Sequence, residues 1–78
     1  MKYLLFEDPS GHLLPILFPE RIDHEEMRDQ MPYATVISGG FIVLDNGRFV
    51  CHGQAKALDI QARKEDATVI ELHFQDER

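Results

Sequence analysis

Tryptophan is absent, cysteine occurs once, and Lys and Arg number only eight against fourteen Asp and Glu. Each scarcity excludes something. One thiol cannot build an internal disulfide framework or a cysteine-based structural zinc site. A net charge of −6 leaves little for a basic, phosphate-binding face, which argues against nucleic acid as a direct partner. No apolar run approaches the roughly 20 residues that a bilayer-spanning helix needs, so no membrane partner is expected. The opening Met1-Lys2-Tyr3-Leu4-Leu5-Phe6-Glu7-Asp8 has too short an apolar run for a signal peptide and turns acidic at once, which points to the cytoplasm. What the chain does have is 44% hydrophobic and 9% aromatic residues, a globular composition rather than a disordered one. Residues 1–78 suffice for one domain at most, burying about 60–65% of the unfolded surface around a thin core.

Two hairpins are legible. Asn46-Gly47 lies between Phe41-Ile42-Val43-Leu44 and Phe49-Val50-Cys51-His52, and a type I′ turn demands positive φ at both central residues. A two-residue loop pairs Asp45 with Arg48, Val43 with Val50 and Phe41 with His52. Alternation then puts Phe41, Val43, Val50 and His52 on one face, and Ile42, Leu44, Phe49 and Cys51 on the other. Near the start, Asp8-Pro9-Ser10-Gly11 is a turn cluster between Tyr3–Glu7 and Leu13–Phe18. A four-residue loop sets Glu7 opposite His12. Leu4 and Phe6 then share a face with Leu13, and Tyr3 and Leu5 share the other with Leu14 and Ile16. Pro15 marks an edge strand or a bulge.

Between the hairpins Asp23 is a good N-cap, and Glu26 three residues on completes a capping box. Ile22 and Met27 stand at the staple positions, Met27 and Met31 form an apolar stripe, and Pro32 stops the helix. Tyr33–Ser38 reads as a strand, with Gly39-Gly40 as a bulge or bend. The spacing predicts a strand over Gln54–Gln61 and a helix from about Lys64, with Glu65 and Asp66 in its first turn. Ala67, Ile70 and Phe74 lie at helical spacing, while Ile70, Leu72 and Phe74 also alternate as a strand would, so the order helix then strand stays open beside strand then helix. The β-branched run Thr68-Val69-Ile70 weakens that helix, and the tail Gln75–Arg78 is expected to fray. The expected class is α+β, an antiparallel sheet of about five strands in the order β-β-α-β-β-β-α with two short helices.

The chemistry on offer is sparse. His12, His24, His52 and His73 show no helical ligand spacing, and adjacent Cys51 and His52 point to opposite faces of a strand. They are expected to be surface or rim histidines beside a buried, inert thiol. No metal, cofactor or catalytic residue is assigned. Ser38-Gly39-Gly40 lacks the lysine and following helix of a phosphate loop. Glu25, Glu26 and Asp29 read as a solvated helix face rather than an acid/base pair, although such a face also suits a basic protein surface. The strongest signal is a sheet apolar on both sides, which two short helices cannot wholly cover. Phe41, Val43 and Val50, with Tyr3, Leu5 and Ile16 beside them, are left to pack against the other hairpin, to fold over as a small sandwich or to meet another chain. Phe41, Val43, Val50 and His52 therefore become candidate interaction residues, together with Glu25, Glu26 and Asp29.

The run Gly39-Gly40-Phe41-Ile42-Val43-Leu44, then Gly47-Arg48-Phe49-Val50-Cys51-His52-Gly53, then Leu58 and Ala62-Arg63-Lys64-Glu65-Asp66-Ala67 resembles short proteins encoded by bacteriophages and prophages. The similarity covers the C-terminal half. Lys64 stands where those proteins carry proline, and Ala55 and Ala57 where they carry serines. The resemblance implies a non-enzymatic accessory protein acting in the host cytoplasm by binding another protein. Inhibition of a host defence or nucleic-acid-handling protein, in the manner of anti-CRISPR proteins, is one form of such binding. Two other readings stand beside it. One is a structural homo-oligomer or minor assembly component, most simply a homodimer that enlarges a thin core. The other is a small metal-dependent enzyme or regulator using histidines and acids.

Overall fold

A computed structural model describes residues 1–75. In chain order it contains β1 (Lys2–Glu7), β2 (Leu13–Phe18), α1 (His24–Asp29), β3 (Thr35–Asp45), β4 (Arg48–His52), β5 (Gln54–Ala55), β6 (Ile60–Gln61) and α2 (Asp66–Gln75), with one turn of 3₁₀ helix between β5 and β6. The four long strands form an antiparallel sheet in the order β2-β1-β3-β4, and β5 and β6 pair separately. The class is α+β, as the sequence implies. The segment expected as one strand over Gln54–Gln61 is instead a tiny hairpin. Asp59 sits there in the left-handed region at φ 55°, which reverses the chain.

The sheet is covered on both sides where β1 runs through its centre. Tyr3, Leu4, Leu5 and Phe6 are all fully buried, which is why this strand reads as an unbroken apolar run. On the front face Leu4, Phe6 and Phe18 form a cluster with Leu14, Ile16 and Val36, closed by Ile22, Met27 and Met31 from α1 and its flanks and by Leu58 and Ile60. On the back face Tyr3 and Ile42 pack against Ile70 of α2, with Leu17, Phe49, Cys51 and Ala62 around them.

The N-terminal hairpin differs from the sequence reading by one residue. The loop is Pro9-Ser10-Gly11, so Asp8 faces His12, with the Asp8 N–H donating to the His12 carbonyl at 2.9 Å. Gly11 takes φ 90°, the left-handed third position of a three-residue loop. Asp8 accepts from the Ser10 N–H, the Ser10 hydroxyl and the His12 N–H, and these bonds, the hydroxyl's first, hold its carboxyl below the usual range. The pairs are consequently Leu4–Ile16 and Phe6–Leu14, and both β2 residues move to the front face. A one-residue slip exchanges the two faces of a strand.

Gly39-Gly40 neither ends nor bulges β3. The irregularity lies nearby, where the β1–β3 pairing skips from Leu5–Ser38 to Phe6–Val36 and leaves Ile37 unpaired. The two glycines serve close approach instead. A Cβ on Gly39 would meet Leu4 Cδ2 at 2.7 Å, and one on Gly40 would meet the His52 carbonyl oxygen at 2.5 Å. The second hairpin follows the expected register throughout, from Phe41–His52 to Asp45–Arg48, with Asn46 and Gly47 at φ 53° and 79°.

Helix α1 carries its capping box, with the Asp23 N–H donating to Glu26 Oε1 at 3.1 Å. It ends at Asp29, so Met31 packs from just beyond it. Helix α2 begins at Asp66, two residues after the expected start, and continues through Gln75. Of the tail expected to fray, Gln75 is the last residue of α2 and residues 76–78 lie outside the described residues. Ile70 is buried, but Phe74 is 41% exposed and does not join the core.

Candidate functional site

The β3–β4 hairpin outruns the rest of the sheet. Lys2 of β1 pairs with Phe41, and beyond that only Met1 reaches Ile42. Among the described residues, Val43, Leu44 and Asp45 of β3 therefore have no strand on their inner side. Val43 and Val50 face each other across the hairpin and are 45% and 42% exposed, and Leu44 on the opposite face is 67% exposed. This overhang is where the apolar alternation of the sequence goes uncovered.

Phe41 and His52 form the base of the same front-face strip. Their rings stack at 5.9 Å with planes 22° apart, and His24 meets Phe41 edge-on at 5.8 Å. His24 in turn meets Phe18 edge-on. Its Nε2–H donates to the Gly40 carbonyl at 2.9 Å, since a carbonyl can only accept. His24 is 7% exposed, which corrects its expected place at the surface or rim. The N-cap turn aims it into the sheet, where it pins α1 to β3. Phe41 is half-buried by these contacts, whereas His52 is exposed.

Glu25, Glu26 and Asp29 are all exposed on α1. Two of them have local duties, Glu26 in the capping box and Asp29 in an ion pair with Arg28 at 3.1 Å. Because α1 packs on the front face, these acids stand on the same side of the sheet as Phe41, Val43, Val50 and His52. The two candidate surfaces were separate in the sequence, and the fold sets them on one side. Leu44 belongs to the exposed tip as well, and sequence reasoning passed it over because alternation alone places it with core-facing Ile42.

The back face holds a polar cluster that the sequence reading missed. Asp66 is fully buried at the start of α2 and accepts from the Tyr3 hydroxyl at 2.5 Å, the Arg63 N–H at 2.9 Å and Arg63 Nε at 2.9 Å. Burial alone would raise its pKa, but these donors hold the carboxyl below the ordinary range. The Ser38 hydroxyl is buried facing the same carboxylate and closes no hydrogen bond of its own. Burial pushes the Tyr3 phenol strongly up, and the Asp66 charge adds to it. Cys51 lies half-buried against Tyr3, and burial raises its thiol too, helped by Asp66 and Glu71. A thiol and a phenol held protonated are poor nucleophiles, so the cluster's evident work is to fasten α2 to the sheet. The available signal was the spacing Arg63-x-x-Asp66, an acid at the first residue of the helix three positions after a residue in the turn before it, close enough to accept that residue's N–H.

Among the described residues, three of the shallow surface hollows stand out. One of about 420 Å³ is apolar and lined by Met1, Leu17, Ile42, Val43, Leu44 and Phe49. One of about 460 Å³ lies between Lys2, His24, Phe41, Gly53, Gln54 and Lys56. The smallest, about 220 Å³, lies beside Met31 and Tyr33. Among the described residues no three His, Cys, Asp or Glu side chains converge as a metal site would require. No helix among them is long and apolar enough to cross a membrane. Comparison with protein-family models, with curated proteins and with solved structures finds no match.

Proposed function

We propose that this chain is a non-enzymatic binding protein that takes hold of a basic protein surface with its front face. The observation that carries the reading is the exposed Val43–Val50 pair on the overhanging hairpin, on the same side of the sheet as the acids of α1. An exposed apolar patch rimmed by polar groups marks an interaction site. The net charge of −6 steers such a surface toward a positively charged partner. The resemblance of the C-terminal half to phage and prophage proteins supports an accessory role in the host cytoplasm. It also supports a host nucleic-acid-handling or defence protein as the partner, since such proteins present basic surfaces. His52 and Phe41 serve as the flat aromatic end of the contact, and Glu25, Glu26 and Asp29 as its charged rim.

The experiment is affinity capture from bacterial lysate with three baits: the natural chain, Val50→Glu, and a Glu25→Lys/Asp29→Lys variant. Each is washed at low and at high salt. Proteins held by the natural chain, released by salt and lost to both variants support the proposal. A captured set that is the same for all three baits would overturn it.

A further inference from the structure

The outer edge of β4 has a hydrogen-bonding pattern that a second copy of the chain completes. Both backbone groups of Ile42 turn toward β1. Its N–H donates to the Met1 carbonyl at 2.8 Å, and its carbonyl accepts from the Met1 ammonium at 3.2 Å. Ile42 and Cys51 are therefore a non-hydrogen-bonded pair of the β3–β4 ladder, and by alternation so are Leu44 and Phe49. The N–H and C=O of Phe49 and of Cys51 consequently point outward from β4. The next outward carbonyl, that of Gly53, is already taken by the Ala62 N–H at 3.0 Å. The open stretch of edge thus holds four backbone groups, with Val50 at its centre, and no hydrogen bond reaches them among the described residues.

The other edge of the sheet is guarded. In β2 the inward-pointing residues are those paired with Lys2, Leu4 and Phe6, so Pro15 faces outward. Its missing N–H removes a donor from the middle of that edge, a common way to block strand addition. The strand β4 carries no proline.

From this asymmetry we infer that two copies of the chain pair antiparallel through β4, about a two-fold axis at Val50. Phe49 then lies opposite the partner's Cys51, and Cys51 opposite the partner's Phe49. These two hydrogen-bonded pairs use all four free groups of each chain. Val50 meets the partner's Val50, and the two sheets become one of eight strands. On the front face the two Val43–Val50 pairs merge into one apolar strip crossing the axis. The pairing uses the edge of the strand rather than its face, so it goes beyond the binding proposal and stands or falls separately. An isologous contact of this kind closes on itself and does not propagate.

The test needs only the natural chain at first. Its solution mass by light scattering should rise from one chain to two on concentration. Backbone amide exchange, followed residue by residue, should slow at Phe49 and Cys51 over the same range. The amides of Val50 and His52, already in the β3–β4 ladder, should not change. Because both copies are acidic, added salt should tighten the pairing, the opposite of its effect on a basic partner. A single-chain mass at every concentration would overturn the inference, as would a dimer whose Phe49 and Cys51 amides exchange as fast as in the single chain. A second measurement uses cysteine placement. Facing residues of a non-hydrogen-bonded pair have Cα atoms about 4.5 Å apart, inside the range of about 4.4–6.8 Å that a disulfide tolerates. Val50→Cys/Cys51→Ser should cross-link on mild oxidation, and Val43→Cys/Cys51→Ser should not. Equal cross-linking of the two would refute the two-fold at Val50. If neither variant folds, the amide pattern of the natural chain decides.

Discussion

Asp66 shows how one residue can fasten an element. The helix it begins is poorly favoured by its own sequence, since Thr68, Val69 and Ile70 are β-branched. What holds α2 is burial of Ile70 and the hydrogen bonds that Asp66 accepts from Tyr3 and Arg63. Tyr3→Phe removes one of those donors while keeping the ring's packing. It should lower stability by about 1–3 kcal/mol, measured by urea unfolding at neutral pH. The pH dependence has a definite sign. The folded-state pKa of Asp66 lies below its ordinary value. Its contribution is therefore complete above about pH 4, where the unfolded-state carboxyl ionises, and is lost as pH falls through the folded value. Tyr3 and Cys51 are raised in the fold, so theirs is complete below the ordinary thiol and phenol values of about 8.5 and 10 and fades as pH rises beyond them. Tyr3→Phe should make unfolding at low pH shallower and abolish the phenol's part of the alkaline loss. A variant with the natural acid and alkaline profiles would show that this hydrogen bond does not hold α2.

At the scale of elements, the close packing of β3 yields a second prediction. Gly40→Ala places a Cβ against a backbone oxygen 2.5 Å away, whereas Gly39→Ala meets chiefly the end of the Leu4 side chain at 2.7 Å. A side chain can move aside and a ladder carbonyl cannot. Gly40→Ala should cost about 1–3 kcal/mol or more, and Gly39→Ala clearly less, by thermal unfolding of the two variants. A third concerns α1. Asp23→Ala removes half of its capping box and should cost about 1 kcal/mol, read in the same assay. The hairpin at Asn46-Gly47 was fully legible from the sequence because its turn chemistry admits one loop length and hence one register. The N-terminal hairpin was legible as a hairpin but not in register. Asp8-Pro9-Ser10-Gly11 can close with three or four loop residues, and only the Asp8–His12 bond separates them. The segment 54–61 was harder still, since Asp59 gives no clear sign of the left-handed conformation that splits it. Of the candidate site, the apolar pair and the acids were readable. Their placement on one side of the sheet was not, because it depends on His24 turning inward to Gly40.

On the scale of the whole molecule, the fold divides into a covered half and an uncovered one. Around β1 two helices bury both faces of the sheet, while the end of the β3–β4 hairpin leaves Val43, Leu44 and Val50 in solvent. A chain this small gains little by leaving apolar surface exposed, and the overhang is where a partner would restore the balance. Val50→Glu should therefore abolish binding while changing the stability of the isolated chain by no more than about 0.5 kcal/mol, as exposed substitutions do. A large loss of stability would show that the valine belongs to the core. The most direct measurement is the deuterium-exchange footprint of the chain in a complex isolated by low-salt capture. Protection concentrated in residues 41–52 and 24–29 is the predicted result. Protection confined to β2 and α2, with the hairpin exchanging as in the free protein, would contradict the account.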